Sequence, residues 1–301
     1  MLVLRCAIWF GALTSMIALA QGPVAATEPQ LGIQIAPNGA PYAAVTELRR
    51  DPRHIVDARV PPYTAVGRLT GLMICTGALV ADPRIVVTAA HCVVEHDGKV
   101  TVSKLTFQPG YQMGLALDRF SGEVWAVGSL RQFEYVTVHD ASNDWAIVVL
   151  DRSADPIRPL WVRSYGRETD GPLEGNILLP AYSDDFAGAD VLAVDTACSV
   201  DKIVWEILLH DCAVSHGASG APLLVRDGDW YAVIGINSGA MAFPTSRGRR
   251  IVHRNAAIGS SFFAAALADV HERLLDGRGR GCRYEWVSRK APAGIPEPRT
   301  C

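Results

Sequence analysis

Three short segments hold residue types that can do acyl-transfer chemistry together. The first is Thr88-Ala89-Ala90-His91-Cys92, directly after the apolar run Ile85–Val87. A histidine fixed at a strand end among small residues can keep one rotamer and still reach solvent, as a general base must. Alone, a histidine in such a place is more often structural. The second, Asn143 to Leu150, opens a strongly apolar strand with Asp144. A carboxylate there risks burial of its charge, which is costly unless a partner such as an imidazole N–H faces it. The plainer reading is a solvated turn aspartate. The third is Ser215-His216-Gly217-Ala218-Ser219-Gly220-Ala221-Pro222, ahead of another apolar strand. Ser219 is followed by a glycine and stands two residues after another, so backbone can approach a substrate closely. The N–H groups of Gly217 and Ser219 can converge on one point, as an oxyanion hole requires. Ordinary Gly-Ser loops look the same in isolation. Jointly, the three segments supply a nucleophile, a general base and an orienting carboxylate.

The elements that must position these residues read as short strands. Leu72–Ile74 and Ala78–Val80 lead into Ala81-Asp82-Pro83-Arg84, where proline after aspartate suits the second position of a type I turn, and Ile85–Val87 resumes. That is a β-hairpin. Further β-rich runs are Val100–Phe107, Glu123–Val127, Tyr135–Val138 and Trp145–Leu150, then Asn176–Leu179, Val191–Ala197, Ile203–Leu209, Pro222–Val225 and Trp230–Ile236. Short strands with regular turn signals predict an all-β sandwich or barrel, and the polar connector from Asp151 to Pro172 divides it into two similar halves. Phe262, Phe263, Ala266, Leu267, Val270 and Leu274 recur at helical spacing and predict a C-terminal amphipathic helix.

Composition bounds the setting. Arg5 is the only charged residue before Glu28; it precedes an apolar run, Cys6–Ala20, and then Val24-Ala25-Ala26. This reads as a signal peptide over 1–26, and the apolar run is shorter than a membrane span needs. Its removal leaves about 275 of the 301 residues, enough for one large or two small domains. Residues 27–56 read as an N-terminal extension or propeptide remnant. The net charge of −3 is mixed along the chain, with no basic block for nucleic acid and no acidic tail. No partner at a membrane is expected after signal cleavage, and nothing in the sequence fixes an oligomeric state. Of seven cysteines, Cys6 leaves with the leader, and an even set of six remains: Cys75, Cys92, Cys198, Cys212, Cys282 and Cys301. An even count in an exported chain implies disulfides, with 15 pairings open. A zinc site is disfavoured, because there is no C-x-x-C pair and the histidines are scattered.

The three segments, in the order His, Asp, Ser, resemble the signature blocks of trypsin-like serine proteases and differ in order from subtilisins and α/β-hydrolases. The resemblance runs from about Asp57 to the C-terminal helix and looks closest to the bacterial branch containing glutamyl endopeptidases. It implies two six-stranded antiparallel β-barrels with the active site between them and a C-terminal α-helix. On that frame 57–155 is the N-terminal barrel, 156–260 the C-terminal barrel, 261–276 the helix and 277–301 a disulfide-pinned tail. The catalytic residues implied are His91, Asp144 and Ser219, with Gly217 and Ser219 as the oxyanion hole and no metal or organic cofactor. The resemblance also pairs Cys75 with Cys92, the family's histidine-loop bridge. Cys198 with Cys212 would tether the serine loop, and Cys282 with Cys301 would pin the tail. The protein would be a secreted or periplasmic endopeptidase acting on peptides or proteins.

The sequence departs from that family in two places. Many members carry aspartate before the catalytic serine, where it pairs with a new N-terminal ammonium; here Ala218 stands there, and no Ile-Val-Gly-Gly-like start is present. Activation by N-terminus insertion is therefore not expected, and other contacts must shape the oxyanion hole. In the specificity pocket, Ala213 occupies the place of trypsin's aspartate, and Asn237 that of the glutamyl endopeptidases' histidine within Gly235-Ile236-Asn237-Ser238-Gly239. With Ala213 at the base, Asn237, Ser238 and Gly239 on the wall and His216 nearby, the expectation is a pocket without formal charge that takes uncharged side chains. Arg247, Arg249 or Arg250 could alter this by swinging in. The rival readings are a catalytically idle homologue that binds proteins or peptides, and an esterase on the same triad.

Overall fold

The apolar runs between turn signals resolve into strands in a computed structural model, which describes residues 51–94, 105–128, 142–205, 207–244, 251–277 and 284–285. In chain order, β1 (His54–Ile55) precedes six strands: β2 (Val66–Thr70), β3 (Ile74–Leu79), β4 (Ile85–Thr88), β5 (Leu105–Pro109), β6 (Phe120–Val127) and β7 (Ala146–Leu150). These six are ordered β6-β5-β2-β3-β4-β7, and β6 pairs with β7 to close an antiparallel barrel. After β8 (Trp161–Val162) come β9 (Leu173–Ala181), β10 (Ala193–Val204), β11 (Ile207–His210), β12 (Pro222–Asp227), β13 (Trp230–Pro244) and β14 (Ile251–Gly259). They close a second antiparallel barrel in the order β10-β11-β14-β13-β12-β9. Helix α1 (Ser260–Leu275) follows, and β15 (Tyr284–Glu285) pairs parallel with β6. Closure leaves few open strand edges, which is how an all-β chain avoids edge-to-edge pairing.

Local chemistry accounts for the hairpin under the site. Ile85 N–H donates to Asp82 O at 3.0 Å and Arg84 N–H to Asp82 Oδ1 at 2.8 Å, closing the turn with Pro83 at its second position. Ala78 then faces Val87 and Leu79 faces Val86. Every residue of β4 is buried, as is every residue of β7, so these β-branched runs fill both faces of their sheet. On α1, Phe263, Ala266, Leu267 and Val270 are buried, and the Phe263 ring lies 6.5 Å from that of Trp145, beside Asp144.

Two disulfides join Cys75 to Cys92 and Cys198 to Cys212. Closing loops of 17 and 14 residues, each contributes about 3 kcal/mol in the chain-entropy picture. The Cys282–Cys301 pairing, the signal peptide, the Tyr135–Val138 strand and the arginines at 247, 249 and 250 lie outside the described residues. Among the described residues no helix is long and apolar enough to cross a membrane.

Three expectations about strands need correction. Ile203–Leu209 is two arms rather than one strand: Val204 pairs with Ile207, and Trp205 reverses the chain at φ 55°. Between the arms the sequence reads Trp205-Glu206, with no glycine, proline, asparagine or aspartate to mark a turn. The Trp230–Ile236 strand continues to Pro244 through Gly239 and Ala240, weak strand formers held by pairing with β14. Neither β2 nor β14 was foreseen, since each mixes small or polar residues into its run.

Candidate active site

His91 sits on a single 3₁₀ turn, Ala90–Cys92, immediately after β4, and the Cys75–Cys92 bridge ties that turn to β3. Asp144 lies just before β7, which pairs with β4, so sheet register brings the two together. The His91 backbone N–H donates to Asp144 Oδ1 at 3.0 Å, and its Nδ1 is 2.8 Å from Asp144 Oδ2. A carboxylate can only accept here, so Nδ1 carries the proton and the lone pair is left on Nε2. Asp144 is 1% exposed and the His91 side chain 21%, the asymmetry expected of a sealed orienter and an accessible base. Ser238 Oγ also donates to Asp144 Oδ2. Burial pushes the Asp144 carboxyl up, but the imidazole, the Ser238 hydroxyl and the His91 N–H outweigh it and hold it below the usual range. For His91, burial disfavours the cation, while the charge and hydrogen bond of Asp144 prevail and raise it.

The serine loop is locked by two glycines. Gly217 has φ +88°, and a Cβ there would meet Tyr182 O at 2.2 Å; at Gly220, φ +78°, it would meet Thr88 Oγ1 at 2.1 Å. No other residue fits either position without moving backbone. The loop's N–H groups divide cleanly. Ala218 donates to Ser215 O, Gly220 to Asn237 O and Ala221 to Ala218 O. Those of Gly217 and Ser219 have no acceptor among the described residues. They are the pair expected to bind an oxyanion.

Contacts with the first barrel dock this loop beside His91. Ser219 O accepts Thr76 N–H at 2.8 Å and lies 3.9 Å from Cys92 Sγ. Thr76 Oγ1 donates to Gly217 O at 2.8 Å and accepts Tyr182 N–H at 3.0 Å, while Thr88 Oγ1 donates to Thr76 O at 2.8 Å. Sequence reasoning missed Thr76 and Tyr182. The only local signal was a threonine directly after Cys75.

The residues assigned to the specificity pocket are placed differently from that expectation. The Ser238 hydroxyl donates to Asp144, so the side chain does not offer it to a bound substrate. Asn237 is buried, with Nδ2 donating to Ala218 O at 3.0 Å and Oδ1 3.1 Å from His210 Nε2. Its amide is engaged within the protein. His210 is fully buried, and burial depresses it to about 4, so it is neutral and donates through Nε2. Gly239 follows a register shift in the β13–β14 pairing. Ala213 is buried, and its N–H donates at 3.0 Å to the carboxylate of Asp195, itself only 2% exposed. Asp195 also accepts Ala197 N–H at 3.2 Å. A buried carboxylate thus lies directly behind Ala213, with its oxygens turned to backbone N–H groups. His216 is exposed, with Nδ1 3.5 Å from Asp184 Oδ2. Among the described residues one cluster has metal-ligand spacing, Cys75, His91 and Cys92, but its two sulfurs are joined to each other.

Residues 75–236 match the trypsin-like peptidase domain. Comparison with curated proteins found no match. Among solved structures, a Glu endopeptidase in complex with MPD is 20% identical and superposes with a TM-score of 0.55, covering 73% of this chain and 98% of that one. The secreted serine protease VesC from Vibrio cholerae is 18% identical with a TM-score of 0.53, over 72% of this chain and 47% of that one. The protease Anisep from Arthrobacter nicotinovorans is 16% identical with a TM-score of 0.50, over 72% and 99% respectively.

Proposed function

Because the chain belongs to the trypsin-like peptidase domain family, we propose that it is an exported serine endopeptidase cleaving peptides or proteins through an acyl-enzyme on Ser219. His91 Nε2 takes the Ser219 proton as Oγ attacks the scissile carbonyl. Asp144 holds the imidazole in the productive tautomer and stabilises the cation that forms. The N–H groups of Gly217 and Ser219 receive the oxyanion, each contributing about 3–4 kcal/mol in comparable sites. His91 then returns the proton to the leaving amine, and water repeats the sequence on the ester. The observation that carries this reading is the pattern of loop N–H groups, which leaves those two free beside a histidine already oriented by a buried carboxylate. Export rests on the leader-like first 26 residues and the disulfides.

An active-site fluorophosphonate probe tests it. Wild type should label on Ser219, and Ser219→Ala should lose labelling and, on the order of 10⁶-fold, peptide turnover. An idle binding homologue would not label. An esterase would turn over small esters and leave denatured protein intact.

A further inference from the structure

Ala218 offers no carboxylate that could fix the serine loop from within. Beside the Thr76 and Asn237 contacts, the Ser215–Gly217 side of the loop is held by residues 182–186. Asp184 N–H donates to His216 O at 2.8 Å, Ser215 Oγ donates to Asp184 Oδ1 at 2.7 Å, and Gly217 stands directly over Tyr182 O. One residue further, Asp185 is held by an arginine from the lead-in. Arg53 Nη1 donates to Asp185 Oδ1 at 3.0 Å and Nη2 to Asp185 Oδ2 at 2.5 Å. The same guanidinium donates from Nε and Nη2 to Asp51, at 3.0 and 2.6 Å, and its Cζ lies 4.6 Å from the Phe186 ring centre. The Arg53 side chain is 5% exposed although both carboxylates are 41% exposed. Backbone pairing anchors it: β1 lies on β10, and Val56 N–H donates to Leu192 O.

We propose that Arg53 is a positioning residue for the oxyanion hole, holding the 182–186 segment in the one conformation on which Gly217 and His216 can rest. The inference rests on the protease reading above. Most exposed ion pairs do little. This one differs because a planar fork grips two carboxylates and a ring at once, a geometry that fixes orientation as well as distance. Loosening it lets Asp184 drift, and the free N–H of Gly217 drifts with it. The loss appears where charge develops, in the transition state, and not in ground-state binding.

The experiment compares wild type, Arg53→Ala, Arg53→Lys and Asp185→Asn, each checked for folding by near-UV circular dichroism and thermal melting. Arg53→Ala and Asp185→Asn should lower kcat by about tenfold to a hundredfold while KM stays within about twofold. Affinity for a peptide boronate, which needs the hole, should weaken in step with kcat. Lysine places charge at a point and cannot span the fork, so Arg53→Lys should recover only part of the loss, whereas added guanidinium ion should recover much of it in Arg53→Ala. If Arg53→Ala fails to fold, Asp185→Asn tests the same link with the Asp51 and Phe186 contacts intact. Unchanged kcat in a folded variant, or a loss confined to KM, overturns the inference while an active wild type keeps the protease reading. A wild type that the fluorophosphonate does not label sinks both.

Discussion

The two walls of the cleft differ in how their polar side chains are held. On the first-barrel wall, His91 and Asp144 take their geometry from adjacent strands, β4 and β7, and each makes its decisive contact with the other. On the second-barrel wall, Asn237, Ser238, Asp195 and Ala213 are engaged by partners scattered through the chain: His210 and Ala218 for Asn237, Asp144 for Ser238, and Ala213 for Asp195. A site built from neighbouring strand ends keeps its function when read residue by residue. A wall whose polar groups are consumed by distant ones does not. Three substitutions probe that difference.

The largest effect belongs to the first-barrel wall. In Asp144→Asn the carboxamide cannot hold imidazolium, and turnover should fall by about 10⁴-fold. The pH profile adds a sign. Catalysis needs neutral His91, and its pKa is raised above 6.5 by Asp144. The acid limb of kcat/KM should therefore lie above 6.5 in the wild type and move down in residual Asp144→Asn activity. Stability runs the other way. The raised His91 stabilises the fold fully below its unfolded value, and this is lost as pH rises through the folded pKa. The lowered Asp144 contributes above 3.8, and this is lost as pH falls through its folded pKa. The pair thus steadies the fold most between 3.8 and 6.5, where the base is protonated and idle. An acid limb below 6.5 would show that Asp144 does not govern His91.

Ser238→Ala crosses from one wall to the other. It removes a hydroxyl from a buried carboxylate, an interaction of about 1.5–3 kcal/mol for a charged acceptor, so kcat/KM should drop by about tenfold to a hundredfold. Preference at the cleaved residue should not change, because the hydroxyl faces Asp144. A variant with altered preference and intact rate would return Ser238 to the pocket.

What the sequence made legible follows the same division. Thr88–Cys92, Asn143–Leu150 and Ser215–Pro222 announced themselves because glycine, proline and strand-edge positions are read locally, and the hairpin turn at Asp82-Pro83 likewise. Gly217 and Gly220 are needed for reasons visible in the chain itself, a positive φ and a close backbone. Thr76, Tyr182 and Arg53 were invisible. Their roles lie in contacts across separations of 141, 106 and 132 residues, which no spacing rule encodes. The break at Trp205 was hidden because Trp205-Glu206 contains none of the usual turn-forming residues.

The smallest effect concerns Asp195 and bears on which side chain is cleaved. Its carboxylate accepts the N–H groups of Ala213 and Ala197. Negative charge therefore stands behind the residue expected at the pocket base, sealed by burial from direct contact with solvent. At that depth its field acts through protein and not through bulk water, so it is weakened but not abolished. A glutamate side chain in the pocket would be repelled and a lysine mildly favoured, both relative to an isosteric neutral group. Uncharged residues should still be cleaved best, because lysine gains no direct carboxylate contact to offset its lost hydration. Asp195→Asn keeps the shape and removes the charge. In tetrapeptide substrates differing only at the cleaved position, the lysine-to-glutamate ratio of kcat/KM should fall a few-fold, with little change for norleucine. A ratio that stays put would mean the charge does not reach the pocket. A wild type that strongly prefers lysine or arginine would mean it reaches much further, and Asp195 would then be the residue that sets specificity.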